Sequence, residues 1–215
     1  MKNKWSGRII ALSEMNDWQE LLDWCRKWTE SEPKNAEVWN NLGVAYGKLN
    51  RYGDAIEACQ QALHINPEFA ETWYNLGLAY GKLNRYGDAI EAYRQSLRIN
   101  PELAEAWNNI GITYIKLKRY DDAIEAYRQY LHIDPEDAKA WFNLGNAYIE
   151  LKRHDDAIEA YRQSLRINPE YVGTWHNLVA SYVHSGNKPA TLDTLKMLEY
   201  INPKLLDELL AQLKC

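Results

Sequence analysis

The sequence contains little that would support a disulfide framework, a metal centre or a membrane anchor. It has three cysteines among 215 residues, none of them in a CxxC pair or at zinc-ligand spacing from a histidine. No stretch approaches the roughly 20 apolar residues of a membrane helix, and the apolar run from Ile9 to Leu12 is too short for a signal peptide. We therefore expect a cytoplasmic protein with reduced cysteines, no metal, no cofactor and no membrane partner.

Phenylalanine is scarce, and positive charge is in the minority. Phe occurs twice beside 15 Tyr and 9 Trp, so the apolar bulk comes from aromatic side chains with a polar edge, which suit partly buried surfaces. The sequence has 25 Lys and Arg residues and 30 Asp and Glu residues. The resulting net charge of −5 argues against binding to nucleic acid. The hydrophobic content of 46% is that of a globular protein, so global disorder is not expected.

What the sequence does contain is a period of 34 residues. The stretch AYGKLNRYGDAIEA occupies residues 45–58 and returns unchanged at residues 79–92. Four residue types recur at the same spacing: Pro33, Pro67, Pro101, Pro135, Pro169 and Pro203; Trp5, Trp39, Trp73, Trp107, Trp141 and Trp175; Tyr46, Tyr80, Tyr114, Tyr148 and Tyr182; and Gly43, Gly77, Gly111 and Gly145. A fixed period of this size indicates a solenoid of stacked supersecondary units.

Each 34-residue unit holds two helical patterns. In the first, Val38, Leu42 and Ala45 recur at the three- and four-residue steps of one helix face. After a break at residues 50–53 a second pattern follows, and Pro67 ends it. Strand patterns are absent from the sequence, so an all-α fold is expected.

The repeated positions match a known signature, carried by Trp39, Leu42, Gly43, Tyr46, Ala55, Ala62 and Pro67. The chain resembles the tetratricopeptide repeat (TPR) family. The resemblance implies a right-handed superhelical solenoid of stacked antiparallel helix pairs with a concave groove. It predicts one continuous domain with a degenerate N-terminal repeat at 1–35, repeats at 36–69, 70–103, 104–137 and 138–171, a divergent repeat at 172–203 and a capping helix at 204–215.

Small and aromatic residues have separate roles in this interpretation. Gly43 and Ala55, with their equivalents, are expected to let the paired helices approach closely. The Trp and Tyr rows are expected to fill the space between neighbouring units, because a single unit would leave an apolar face bare.

Catalytic motifs are absent from the sequence: it has neither a phosphate-binding glycine loop nor GxSxG. The carboxylates Asp54 and Glu57 lie one turn apart, but the same pair recurs in four repeats, whereas a catalytic pair occupies one special environment. We therefore interpret them as structural and expect a protein that is not an enzyme.

The histidines also have structural interpretations. His64 and His132 lie near the end of the second helix, where a basic residue complements the helix dipole. His176 and His184 could flank a site with Glu150; the favoured alternative is a solvated or groove-lining role.

One polar row on the first helices is unbroken: Asn41, Asn75, Asn109, Asn143 and Asn177. An Asn amide is both donor and acceptor, so such a row can pair with the backbone of an extended peptide. The row is similar to the asparagine ladder in the repeat domain of O-linked N-acetylglucosamine transferases. Asn has poor helix propensity, so its recurrence at one helical position indicates a specific role. The alternative is that each Asn ties adjacent helices together.

Other inferred groove positions vary between repeats, as side-chain specificity requires. We predict aromatic anchors at Tyr74 and Phe142 and an apolar strip that includes Leu78 and Ile112. The same rows contain Val44, Asn40, Asn108, Asn146 and His176, and Glu37, Glu71 and Glu105 form an acidic edge. The predicted partner is a protein or peptide segment that is extended, partly apolar and basic. The alternative is that the aliphatic residues are packed core.

The sequence argues against one partner class within the resembled family. TPR co-chaperones grip the acidic tails of heat-shock chaperones with basic residues, which would have to stand at the positions of Asn40, Glu105 and Asn109. This sequence has none of those cations.

The first unit motivates a second hypothesis, a self-associating assembly protein. It adds Trp18, Trp24 and Trp28, and an exposed Trp cluster can form a dimer contact. The alternative is that these rings cover the end of the core. Cys25 and Cys59 stand at equivalent positions of adjacent units and are predicted to be buried thiols.

Overall fold

The structure, a computed structural model, describes residues 2–213, and for residues 2–6, 205, 208, 209, 212 and 213 it describes the backbone alone. The side chain of Trp5 and the whole of Cys215 lie outside the described residues. Thirteen helices and no strand occupy the described range, which confirms the all-α fold class. They are α1 (Lys2–Glu14), α2 (Trp18–Ser31), α3 (Ala36–Lys48), α4 (Tyr52–Ile65), α5 (Ala70–Lys82), α6 (Tyr86–Ile99), α7 (Ala104–Lys116), α8 (Tyr120–Ile133), α9 (Ala138–Glu150), α10 (His154–Ile167), α11 (Val172–His184), α12 (Lys188–Ile201) and α13 (Pro203–Leu213).

The chain divides into two compact units, residues 1–113 and 114–215. In the first unit, consecutive helices pack in pairs from α1 through α6. In the second unit, consecutive helices pack in the same way from α8 through α13. Within each unit these helices therefore bury their apolar faces against their neighbours in sequence, as expected for a solenoid.

The turn inside each helix pair has one backbone geometry. Asn50 follows α3 with φ of 60°, and its N–H donates to the Gly47 carbonyl while that of Arg51 donates to Tyr46. This is the left-handed cap that satisfies the last carbonyls of a helix. The same turn places Lys118 and Lys152 at φ of 57° and 58°, a region that Asn tolerates better than Lys.

The Trp and Pro rows coincide because they are bonded to each other. The indole Nε1 of Trp73 donates to the carbonyl oxygen of Pro67 at 2.8 Å. The same bond joins Trp39 to Pro33, Trp107 to Pro101, Trp141 to Pro135 and Trp175 to Pro169. The Trp row therefore also fixes the turn between successive 34-residue repeats, a role that spacing alone did not indicate.

Close helix packing depends on the glycine row, as predicted. A Cβ atom on Gly77 would lie 2.5 Å from Cε1 of Tyr93, and one on Gly145 would lie 2.4 Å from Cε1 of Tyr161. At Gly43 the neighbour is Sγ of Cys59, at 2.7 Å. These positions have no room for any side chain.

Each second helix from α4 to α10 begins after an arginine that contacts two neighbours. Nε of Arg51 lies 2.6 Å from Oδ2 of Asp54, and its guanidinium carbon lies 4.6 Å from the ring centre of Tyr46. Equivalent contacts are made by Arg85, Arg119 and Arg153. The repeated carboxylate of Asp54 thus stabilises a helix start, which supports its structural interpretation.

The N-terminal repeat, residues 1–35, buries most of the surface of Trp18, Trp24 and Trp28. Trp28 is 3% exposed, Trp18 and Trp24 are half-buried, and Nζ of Lys48 lies 5.3 Å from the Trp18 ring centre. Cys25 and Cys59 are free buried thiols, as predicted, and burial raises the pKa of each to about 12.

Candidate functional site

The first helices of successive repeats touch each other within each unit. In the first unit α3 contacts α5, and in the second unit α9 contacts α11. The side chains along these contacts include members of the Asn row, so this surface is the candidate site. We call it the first-helix face, and we describe it separately for each unit.

In the first unit the face holds a cavity of about 290 Å³. Its lining includes Val44, Lys48, Asn75, Leu78 and Lys82. Leu78 and Asn75 are half-buried, so both present surface to the cavity. Apolar side chains and lysines therefore lie beside one amide of the Asn row.

In the second unit the face holds a cavity of about 390 Å³. It lies at the same repeat positions, three repeats further along, with Asn146 at the place of Val44 and Glu150 at the place of Lys48. Asn177 occupies the repeat position of Asn75, and His184 occupies that of Lys82. The two cavities share a framework but differ in charge and polarity.

The Asn row ties neighbouring first helices together through its amide nitrogens. Nδ2 of Asn75 donates to Oδ1 of Asn40 at 3.0 Å, and Nδ2 of Asn109 donates to the Tyr74 hydroxyl at 3.1 Å. No hydrogen bond to Oδ1 of Asn75 or Asn109 occurs among the described residues. The structural contacts thus use the nitrogen of each amide and leave its oxygen as an acceptor.

The second unit shows the same use of the amide nitrogens. Nδ2 of Asn177 donates to Oδ1 of Asn146 at 2.7 Å. Asn143 donates to the hydroxyl of Tyr127; burial raises the Tyr127 pKa, and this hydrogen bond partly offsets the rise. Asn41 differs, because its Nδ2 donates to the Glu37 carbonyl of its own helix at 2.9 Å.

The predicted aromatic anchors are held by other rings. Tyr74 lies 5.8 Å from the ring centre of Tyr93, and Phe142 lies 5.0 Å from that of Tyr171. Both anchors are half-buried, so each keeps part of its ring accessible. These contacts reduce the number of conformations open to each ring, as a preformed contact surface requires.

Other predicted positions differ in exposure. Ile112 is 38% exposed, and Asn108 is half-buried. Asn40 is 2% exposed and accepts a hydrogen bond from Thr72, so its assignment to the groove was wrong. The reason is that Asn40 serves as the acceptor for two side chains of the next repeat, those of Thr72 and Asn75.

Comparison with known families identifies the fold. Tetratricopeptide repeat models match residues 36–69 and 138–171, and a second such model matches residues 74–138. The chain belongs to the tetratricopeptide repeat family. Membership supports a role as a protein–protein interaction scaffold, since the family's fold is generally non-catalytic. A model of the protein prenyltransferase alpha subunit repeat also matches residues 18–49, and no curated protein matches the chain.

Solved structures of other TPR proteins resemble this chain. The crystal structure of MamA is 26% identical, covers 74% of this chain and 94% of its own, and has a TM-score of 0.71. YrrB, described as a TPR protein with an unusual peptide-binding site, is 20% identical over 89% of this chain and 98% of its own, with a TM-score of 0.75. PilF of Pseudomonas aeruginosa is 14% identical over 98% of this chain and 96% of its own, also with a TM-score of 0.75. The last two likenesses concern the fold alone.

Of the two histidines that the sequence placed beside Glu150 or along the groove, His184 lines a cavity of the first-helix face of this TPR chain. His184 shares a cavity with Glu150, but its ring stacks on His154, with ring centres 5.8 Å apart and planes inclined by 8°. His176 does not line that cavity. His154 was missed, although it stands where other repeats have Tyr52, Tyr86 and Tyr120.

Two further classes of site find no support in the part of the TPR chain that the structure describes. No group of three or more His, Cys, Asp or Glu side chains within that part is placed to hold a metal ion. None of its helices combines the length and the apolar character that crossing a membrane requires.

Proposed function

We propose that the chain is a non-catalytic interaction scaffold that binds an extended peptide segment of a partner protein along the first-helix face. The observation that carries the proposal is the orientation of the Asn amides. Because the nitrogens of Asn75 and Asn109 are bonded to the preceding repeat, their oxygens are left as acceptors. An extended peptide offers backbone N–H donors whatever its side chains.

Apolar surface beside the row supports the same proposal. Leu78 lines the cavity next to Asn75, and Ile112 is 38% exposed one repeat later. Tyr74 and Phe142 add half-buried rings of the kind that dominate binding energy at interfaces. A partner segment with apolar side chains at alternate positions would cover this surface while its backbone pairs with the amides.

A selection from a displayed library of random 12-residue peptides tests the proposal. Selected peptides are measured by calorimetry against the natural sequence and against a triple variant, Asn75→Ala, Asn109→Ala and Asn143→Ala. Each lost hydrogen bond is worth about 0.5–1.5 kcal/mol, so the variant is expected to bind at least about tenfold more weakly.

The matched control changes three exposed second-helix residues at equivalent repeat positions, Glu57→Gln, Glu91→Gln and Glu125→Gln. Circular dichroism establishes that both variants keep their helix content at the temperature of the binding assay, although the triple Asn variant, which also loses its bonds to the preceding repeats, is expected to have a lower thermal midpoint. Peptides that bind the triple Asn variant as tightly as the control would refute the proposed role of the row.

Self-association through the N-terminal repeat, residues 1–35, has less support. Trp28 is 3% exposed and Trp24 is half-buried, so little indole surface is left for a dimer contact. Light scattering of the natural chain and of Trp24→Ala decides the point, since a dimer that dissociates in the variant would favour self-association.

A further inference from the structure

The cavity of the second unit carries a charge pattern that the other repeats lack. Glu150 and His184 occupy one repeat position on the neighbouring helices α9 and α11, and both line the cavity. The three preceding repeats have lysine at that position: Lys48, Lys82 and Lys116. The change removes the positive charge of this position from the second-unit cavity and introduces one negative charge.

The hydrogen bonding of His184 fixes which nitrogen is free. Its Nδ1 lies 2.7 Å from the carbonyl oxygen of Ala180. A carbonyl oxygen only accepts, so Nδ1 carries the proton. The neutral ring therefore has Nε2 as an unprotonated acceptor.

His154 holds that ring in place. The two imidazoles stack with planes inclined by 8°, and Nδ1 of His154 is buried with no hydrogen-bond partner among the described residues. Buried N–H groups without partners are rare, so the His154 proton belongs on Nε2. Two neutral rings can stack in this way without charge repulsion.

Glu150 and Asn146 complete the lining. Glu150 accepts a hydrogen bond from the Tyr120 hydroxyl, which raises the Tyr120 pKa, and its carboxylate has further acceptor positions. Oδ1 of Asn146 accepts from Tyr161 at 2.7 Å and from Asn177 at 2.7 Å, which fixes the amide orientation. Nδ2 of Asn146 is thereby left to donate to a peptide carbonyl.

We propose that this cavity binds a lysine or arginine side chain of the partner segment, with Glu150 and Nε2 of His184 as its two acceptors. Ammonium and guanidinium groups carry donors only and are positively charged, so they complement this pair in both hydrogen bonding and charge. The inference rests on the proposed peptide-binding function. It adds a charge preference to the second-unit part of the first-helix face.

A small-molecule titration tests the charge preference directly. The amide spectrum of the ¹⁵N-labelled full chain is followed by NMR while n-butylguanidinium is added at pH 8, where imidazole is neutral. Butyrate is the probe of opposite charge. We expect n-butylguanidinium to shift the signals of Asn146, Glu150 and His184, and butyrate to leave them unchanged.

Two variants and a control separate the cavity from general charge effects. Glu150→Gln is expected to weaken n-butylguanidinium binding by about fivefold, as for a partly exposed ion pair, and Glu150→Lys to abolish it. Glu159→Gln alters an exposed carboxylate on α10 that does not line the cavity, and it should bind as the natural chain does.

Equal shifts with butyrate, or binding that survives Glu150→Lys, would overturn the inference. The outcome is distinguishable from failure of the proposed function. Peptides that depend on the Asn row, combined with no response to n-butylguanidinium, would leave the scaffold function standing and remove only the cation subsite.

Discussion

Replacing Gly77 by alanine tests the packing that holds the first-helix face in place. The new Cβ would lie 2.5 Å from Cε1 and 2.6 Å from Cδ1 of Tyr93, whereas carbon atoms in contact stay about 3.5–4.0 Å apart. Tyr93 is 3% exposed and packs on Tyr74, so its ring has little space into which to move. The helix pair α5–α6 would have to separate.

The two energetic contributions have opposite signs. Overpacking of this kind costs about 1–3 kcal/mol, and the rigid ring favours the upper end. Alanine in place of glycine inside a helix contributes up to about 1 kcal/mol of stability. The expected net effect is a loss of about 2 kcal/mol in the free energy of unfolding, measured by urea denaturation followed by circular dichroism.

Gly81 on the same helix is the matched control. A Cβ there would meet only the Tyr93 hydroxyl at 3.8 Å, an ordinary contact, so Gly81→Ala should stabilise by about 0.5–1 kcal/mol. A double-mutant cycle with Tyr93→Ala isolates the clash, since Gly77→Ala should cease to destabilise once the ring is gone. A Gly77→Ala chain as stable as the natural one would refute the packing argument.

Four further predictions rest on the described contacts. Lys152→Gly relieves a left-handed backbone and should raise the free energy of unfolding by about 1 kcal/mol, whereas Asn50→Gly, which replaces a tolerant residue, should change it little. Trp73→Phe loses the hydrogen bond to Pro67 and should cost about 1 kcal/mol in the same urea assay, while an unchanged midpoint would contradict that role. Cys25 and Cys59, whose folded pKa values are about 12, should resist iodoacetamide at pH 8 until the chain is unfolded. Because an unfolded thiol ionises near pH 8.5, stability contributed by their burial should fall as pH rises from about 8.5 toward 12, and a flat profile would contradict it.

The fold could be predicted because its determinants repeat. A glycine, a tyrosine and a proline recur at a spacing of 34 residues, and each recurrence indicates another helix pair of the same kind. Gly77 illustrates the strength of such a signal, since its lack of a side chain is required by one specific ring, that of Tyr93. The roles of the glycine row and the buried cysteines followed from position alone.

The candidate site could be predicted only in part, because its contacts join different repeats. Asn40 belongs to a variable row, yet it is buried as the acceptor for Asn75, 35 residues later. The stack of His154 on His184 joins residues 30 apart, which the 34-residue period does not bring into register. Pairings of this kind depend on the packing angle between one helix pair and the next, and the spacing of residues in the sequence does not determine that angle.

Site-specific photocrosslinking reports which face of the chain a partner contacts. A benzophenone amino acid is placed at Leu78, on the first-helix face, or at Glu91, on an exposed second helix, and each chain is irradiated in an extract of the native cells. We predict a covalent adduct with a partner protein from position 78 and none from position 91. Adducts from position 91 alone would contradict it and would place binding on the second helices.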